Sequence, residues 1–155
     1  MSAVGRCGHQ GRRIVVGVGN RDRGDDGVGP AVCDRVAVLR PDLLVWVVEA
    51  DPTSLAVRWT PGDRVVLVDA VVSGAVPGTV HELGVDAIPP TRPTSTHGLG
   101  VAELLALSTA LGTLPRSLQL LGVEAGDVTP GTALGDAVAA AVEVVARRAV
   151  AMLCD

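Results

Sequence analysis

Residues 14–30 read Ile-Val-Val-Gly-Val-Gly-Asn-Arg-Asp-Arg-Gly-Asp-Asp-Gly-Val-Gly-Pro. An apolar, β-branched run ends in Gly-x-Gly-Asn. A polar loop follows and carries two adjacent carboxylates, Asp25 and Asp26, where a helix should begin. This is the order of a first strand, loop and helix in an open α/β sheet, whose ligands sit outside the carboxyl ends of the strands. The glycines invite a dinucleotide reading, which needs G-x-G-x-x-G and backbone amides facing a pyrophosphate. Gly17 and Gly19 fit, but Asp22 stands at the third glycine position. Asp25 and Asp26 would then face a polyanion, which is unfavourable in a partly dry cleft. The chain has no lysine to serve as a P-loop cation, every basic residue other than histidine being arginine. The loop is built acidic, and a nucleotide site is disfavoured.

Composition narrows the class further. With 155 residues, 48% of them hydrophobic, the chain can bury one full core. Trp46 and Trp59 are its only aromatic residues, so that core must be made of Val, Leu, Ile and Ala. Val-rich runs alternating with Ala/Leu-rich stretches favour α/β over other classes. A net charge of -4 gives no basic footprint for nucleic acid. Cys7, Cys33 and Cys154 are scattered, with no C-x-x-C spacing, so neither a zinc knuckle nor a disulfide framework is indicated. Cys33 is expected as a small buried hydrophobe on the first helix. The first ten residues lack the apolar centre of a secretory signal, and no apolar stretch is long enough to span a membrane. The expectation is a cytoplasmic protein without membrane insertion.

Along the chain, residues 1–12 read as a flexible tail and 13–155 as a single domain. Strands are expected at 13–19, 43–49, 64–69 and 117–123, with a short edge strand at 79–83. Residues 29–39 read as a helix with Pro30 tolerated in its first turn. A short helix begins at Asp51-Pro52-Thr53 and carries Leu55, Val57 and Trp59. A proline-broken loop over 88–95 leads to His97-Gly98-Leu99-Gly100, which opens a helix reaching about Leu111. Residues 133–153 form a long amphipathic helix, with Arg147 and Arg148 set against its dipole. The expected architecture is a three-layer α/β/α sandwich around a mostly parallel, twisted sheet of about five strands.

On that layout the chemistry-bearing residues fall at one edge. Asp25 and Asp26 follow the first strand, Asp69 ends the third, His97 stands at a helix start, and Glu124 ends the last strand. In a parallel α/β sheet these positions converge on one crevice. Two carboxylates and an imidazole can hold a divalent transition metal with other coordination positions open. Each residue also has a plainer reading. Asp25 and Asp26 could cap a helix, Asp69 could close a turn on its own backbone, His97 could cap or pack, and Glu124 could be an exposed loop charge. His9 and Cys7 fall in the tail, where such pairs arise by accident. His81, next to Glu82 on the edge strand, reads as solvated.

The set, taken in order, resembles the hydrogenase maturation endopeptidases, which trim the large subunit of nickel–iron hydrogenases. Gly17-Val18-Gly19-Asn20 with Gly24-Asp25-Asp26-Gly27-Val28-Gly29 is similar to the family's opening motif. Val68-Asp69-Ala70, Pro77-Gly78-Thr79-Val80, Ser95-Thr96-His97-Gly98-Leu99-Gly100 and Leu121-Gly122-Val123-Glu124 resemble the motifs that follow. The resemblance implies that Asp26, Asp69 and His97 bind metal. It implies that Asp25 and Asp26 carry catalysis, with Asp25 activating water or supporting its neighbours, and that Gly19, Asn20 and Glu124 bind substrate or support the site. It implies an endopeptidase, of aspartic or metal-assisted type, that removes the C-terminal extension of a nickel–iron hydrogenase large-subunit precursor after nickel insertion. The nickel would be supplied by the substrate, and a divalent surrogate could occupy the site. One segment departs from the pattern: Glu49-Ala50-Asp51-Pro52-Thr53 stands where many relatives have a glycine-rich turn.

Two other classes compete. One is a nickel-handling binding protein or chaperone on the same scaffold that cuts nothing. The other is a different hydrolase of the same broad fold; the absence of a G-x-S-x-G elbow argues against serine chemistry.

Overall fold

A computed structural model describes residues 11–49, 51–84 and 100–154. Five strands are present among them: β1 (Arg13–Val18), β2 (Leu44–Val48), β3 (Arg64–Val71), β4 (Val80–Gly84) and β5 (Ser117–Glu124). Three α-helices accompany them, α1 (Val28–Leu39), α2 (Val101–Leu111) and α3 (Asp136–Cys154), with 3₁₀ turns at Gly24–Gly27 and Pro52–Val57. The sheet order is β2-β1-β3-β5-β4. All neighbours pair in parallel except β4, which runs antiparallel to β5 at the edge. The expected sheet and its antiparallel edge strand are both present.

The strands read as continuous apolar runs because both faces are covered. Side chains alternate across a strand, so Ile14 and Val16 enter one core and Val15 the other. On one face α1 and α3 pack over Val15, Val66, Val68 and Val123. On the other, α2 and the 3₁₀ turn Pro52–Val57 bring Leu104, Leu55 and Trp59 onto Ile14, Val16 and Leu67. Each fully buried Val or Leu contributes about 1.5–3 kcal/mol. Trp59 places its indole N–H on the buried Ser108 hydroxyl at 3.1 Å, so a large ring is accommodated without an orphaned donor. The first turn of α1 lies directly on the sheet: a Cβ on Gly29 would come within 2.6 Å of the Val18 carbonyl and 2.8 Å of the Val68 carbonyl.

The structure departs from the sequence-based expectations in several places. β3 extends past Asp69 to Val71, because β5 continues to pair with it: Asp69 with Gly122, Ala70 with Val123 and Val71 with Glu124. Asp69 is therefore a strand residue and not a turn residue. α3 begins at Asp136, three residues later than expected. Arg147 and Arg148 do not serve its last turn; they pair with Glu143 and Glu82. The terminal carbonyls of α3 instead receive the Arg64 guanidinium, which donates to Leu153 and Met152 at 3.1 and 3.2 Å. Arg12, assigned to the tail, is pinned to the buried Asp63 through its amide, Nε and Nη2. Val57 is exposed, while Leu55 and Trp59 point inward. Cys33 is buried as expected, and burial pushes its thiol up to about 12. Cys154 is a free, exposed thiol, and Cys7 lies outside the described residues.

Candidate active site at the carboxyl edge of the sheet

The opening loop is folded tightly back on itself. Gly19 adopts φ +145, and a Cβ there would lie 1.9 Å from the Asp26 carbonyl, so only glycine fits. The next amide, Asn20 N–H, donates to Asp26 Oδ2 at 2.9 Å. The Asn20 side chain accepts from the Asp22 amide at 2.8 Å and closes the turn. The 3₁₀ turn Gly24–Gly27 then carries Asp25 and Asp26 beneath the start of α1 and against β3. Neither aspartate caps a helix: the cap positions are Arg23 and Gly27, and neither has a side-chain cap bond. The capping alternative is replaced by a burial that would be costly without a purpose or a partner. Asp25, Asp26, Asp69 and Glu124 are only 2%, 1%, 1% and 1% exposed.

Asp25 is held by three backbone amides. Its Oδ2 accepts from Gly126 at 2.7 Å and Asp127 at 3.1 Å, and its Oδ1 accepts from Gly135 at 2.7 Å. The Asp25 amide returns a bond to the Asp127 carbonyl at 2.8 Å. The side chain therefore ties the first loop to the loop between β5 and α3.

Asp69 sits in β3, beside the strand that delivers Asp26, on the sheet face covered by α2. The period-two pattern places it with Val65 and Leu67, which enter that core. Glu124, at the end of β5, is not the exposed loop charge of the plainer reading. Its Oε1 accepts from the amides of Ser73 and Gly74 at 2.7 and 3.0 Å, and its Oε2 from the Ser73 hydroxyl at 2.8 Å. His81 Nε2 lies 3.1 Å from the same Oε2. Burial pushes the Glu124 carboxyl up, but the bonds from Ser73, His81 and Gly74 outweigh it and hold the group below the usual carboxylate range. His81, expected to be solvated, is half-buried and paired. Its partner stands 43 residues away on β5, so no local spacing could reveal it. Ser73 was missed for the same reason.

His97 falls outside the described residues, as does the proline-broken loop. Among the described residues no three His, Cys, Asp or Glu side chains gather to hold a metal. The buried carboxylates of Asp26, on the 3₁₀ turn after β1, and Asp69, within β3, are hard oxygen donors.

Fold and site together define a three-layer α/β/α protein with buried carboxylates toward the carboxyl edge of its sheet. The family model for HycI, hydrogenase maturation protease, matches residues 50–152. The chain is 28% identical over 139 residues to the hydrogenase 2 maturation protease of Escherichia coli (strain K12), covering 85% of this chain and 84% of that protein. It is 30% identical over 117 residues to the hydrogenase expression/formation protein HupD of Thiocapsa roseopersicina, covering 72% of this chain and 53% of HupD; the chain thus spans about half the length of that relative. Among solved structures, the hydrogenase maturating endopeptidase HybD from E. coli superposes with a TM-score of 0.78 at 28% identity, covering 92% of this chain and 91% of that one. The chain belongs to the hydrogenase maturation protease family.

Proposed function

We propose that this chain is the endopeptidase that removes the C-terminal extension of a nickel–iron hydrogenase large-subunit precursor once nickel has been inserted. The observation that carries the reading is the burial of two carboxylates, Asp26 on the 3₁₀ turn that follows β1 and Asp69 near the carboxyl end of the adjacent parallel strand β3, in a chain of this family. Carboxylate oxygens are hard ligands suited to a divalent cation. They can complete the coordination of an incoming metal without holding it tightly alone, because hard ligands bind weakly compared with thiolates. In this account Asp26, Asp69 and His97 meet the nickel that the precursor carries, so the metal is part of the substrate.

The loops divide the remaining work. Asn20 fixes Asp26 through its amide, and the tight turn at Gly19 sets the loop path. Asp26 is the carboxylate assigned to proton transfer from the attacking water. Asp25, whose oxygens accept three amides, is assigned the supporting role of the two that the sequence left open. Glu124 supports the far wall through Ser73 and His81. A cytoplasmic location belongs to the same proposal.

Incubation of the purified chain with nickel-loaded precursor, followed by intact-mass spectrometry, tests the activity. The expected result is one C-terminal truncation. A precursor that is bound but returned at full mass would favour the nickel-handling alternative. His97→Ala should abolish the truncation, and Asp26→Glu, which keeps the carboxylate, should retain part of it.

A further inference from the structure

The two edges of the sheet carry opposite charge. Asp25, Asp26, Asp69 and Glu124 lie toward the carboxyl edge. At the amino edge the strands open on arginine: Arg13 begins β1, Arg64 begins β3, and Arg116 stands immediately before β5. Arg13 and Arg64 are direct neighbours in the parallel register, and Arg64 pairs with Ser117, the residue after Arg116. Like charges held side by side repel, so this row needs anions near it.

The described residues supply only some of them. Asp42 accepts from Arg13 at 3.2 Å, but it also accepts two bonds from the Arg40 guanidinium. Asp63 is committed to Arg12, accepting its amide, Nε and Nη2. Arg64 donates to the carbonyls of Leu153 and Met152, and so answers the negative end of α3. Arg116 is exposed and makes no hydrogen bond or ion pair among the described residues. Compensation of the helix dipole therefore accounts for Arg64 and leaves Arg116 unexplained.

Arg13, Arg64 and Arg116 line one cavity of about 260 Å³, whose other walls are Gly11 and Gly62. The two glycines meet backbone to backbone: a Cβ on Gly11 would lie 1.4 Å from the Gly62 carbonyl oxygen. Among the described residues, the lining thus has three guanidinium-bearing side chains and no carboxylate.

We propose that this cavity binds a small phosphate-bearing anion. A guanidinium presents a planar fork of N–H donors that matches phosphate oxygens. A tetrahedral oxyanion offers oxygens in several directions and can engage guanidinium groups from more than one strand start at once. A carboxylate offers two oxygens in one plane and suits a single fork. The cavity falls below the range of about 300–1,000 Å³ usual for drug-sized ligands, which favours a compact anionic group. The site is distinct from the carboxylates: Arg64 and Asp69 are five residues apart on β3, about 17 Å of extended chain. It stands on its own geometry and does not rest on the protease reading.

Titration of the full chain with inorganic phosphate, pyrophosphate and ADP, each read by isothermal calorimetry at constant ionic strength, tests the site. Saturable binding of at least one of them is expected, with a Kd of about 1 mM or tighter. Arg116→Gln changes an exposed side chain, should fold as the wild type does by circular dichroism, and should weaken that binding about tenfold. Arg148→Gln, which removes an exposed arginine paired with Glu82, should leave the binding unchanged. Tightest binding of ADP would make a nucleotide the source of the phosphate group, and tightest binding of either inorganic anion would make it free phosphate or diphosphate. No saturation by any of the three overturns the site. So does the same affinity in Arg116→Gln as in the wild type, or an equal loss in Arg116→Gln and Arg148→Gln.

Discussion

The Asp25 carboxylate accepts a hydrogen bond from the amide of Gly126, 101 residues further along the chain, at 2.7 Å. With the bonds from Asp127 and Gly135, this contact makes one buried side chain the junction of two loops that flank the acidic edge. Asp26, the next residue, thus stands on a loop whose position depends on the far end of the fold. A mistake at residue 25 should be felt as stability, and a mistake at residue 26 as chemistry.

Asp25→Asn tests the first half. An amide side chain cannot accept on both heads, so at least one buried N–H loses its partner and the charge-assisted bonds weaken. The expected cost is about 2–4 kcal/mol. Urea unfolding followed by circular dichroism measures it. A variant as stable as the wild type, yet inactive, would reassign Asp25 from support to direct chemistry.

Glu124 predicts a pH dependence of stability. Burial opposes its ionisation, but the bonds from Ser73, His81 and Gly74 prevail, so its folded pKa lies below the unfolded value of about 4.3. The unfolded chain then holds the proton more readily. Stability from this group is fully present above the unfolded pKa and is lost as pH falls through the folded one. Urea midpoints of wild type and Glu124→Gln, compared across the acid range, should differ most near neutrality and converge as the pH drops. A constant difference at every pH would mean that the contribution of Glu124 is packing rather than charge.

The two described cysteines should differ in reactivity. Cys33 is buried and its thiol is pushed up to about 12, whereas Cys154 is exposed. The thiolate is the nucleophile. Iodoacetamide at about pH 8 should therefore label Cys154 in the native protein and reach Cys33 only after denaturation. Peptide mass spectrometry distinguishes the two sites, and native labelling of Cys33 would show that α1 opens away from β1.

The parallel strands were legible because burial on both faces leaves an unbroken apolar run, as in Val65-Val66-Leu67-Val68, and because Pro-Gly and Pro-Gly-Asp segments mark the turns. Their ends were less so. Whether β3 stops at Asp69 or continues to Val71 depends on how far β5 pairs alongside it, which residues 64–71 do not encode by themselves. The same limit applies to the site. Asp26 and Asp69 could be singled out from the expected strand ends and the motifs. The partners of Asp25 and Glu124 could not, since they come from loops and strands distant in the chain. His81 looked like a solvated edge residue because nothing near it in sequence announces Glu124. The dipole partner of α3 was misassigned for a related reason: Arg147 and Arg148 are close in sequence, but Arg64 is the residue that reaches the terminal carbonyls.

Under the proposed function, buried carboxylates at the carboxyl edge would license cleavage by meeting a metal carried by the substrate. Asp69→Asn keeps the shape of the side chain and removes its charge. The decisive measurement is the initial rate of C-terminal truncation for nickel-loaded and nickel-free precursor, taken in parallel with wild type and with Asp69→Asn, folding of both being verified by circular dichroism. Truncation is expected in one arm alone, wild type with loaded precursor. Equal truncation of nickel-free precursor by the wild type, or wild-type rates from Asp69→Asn, would contradict the proposal.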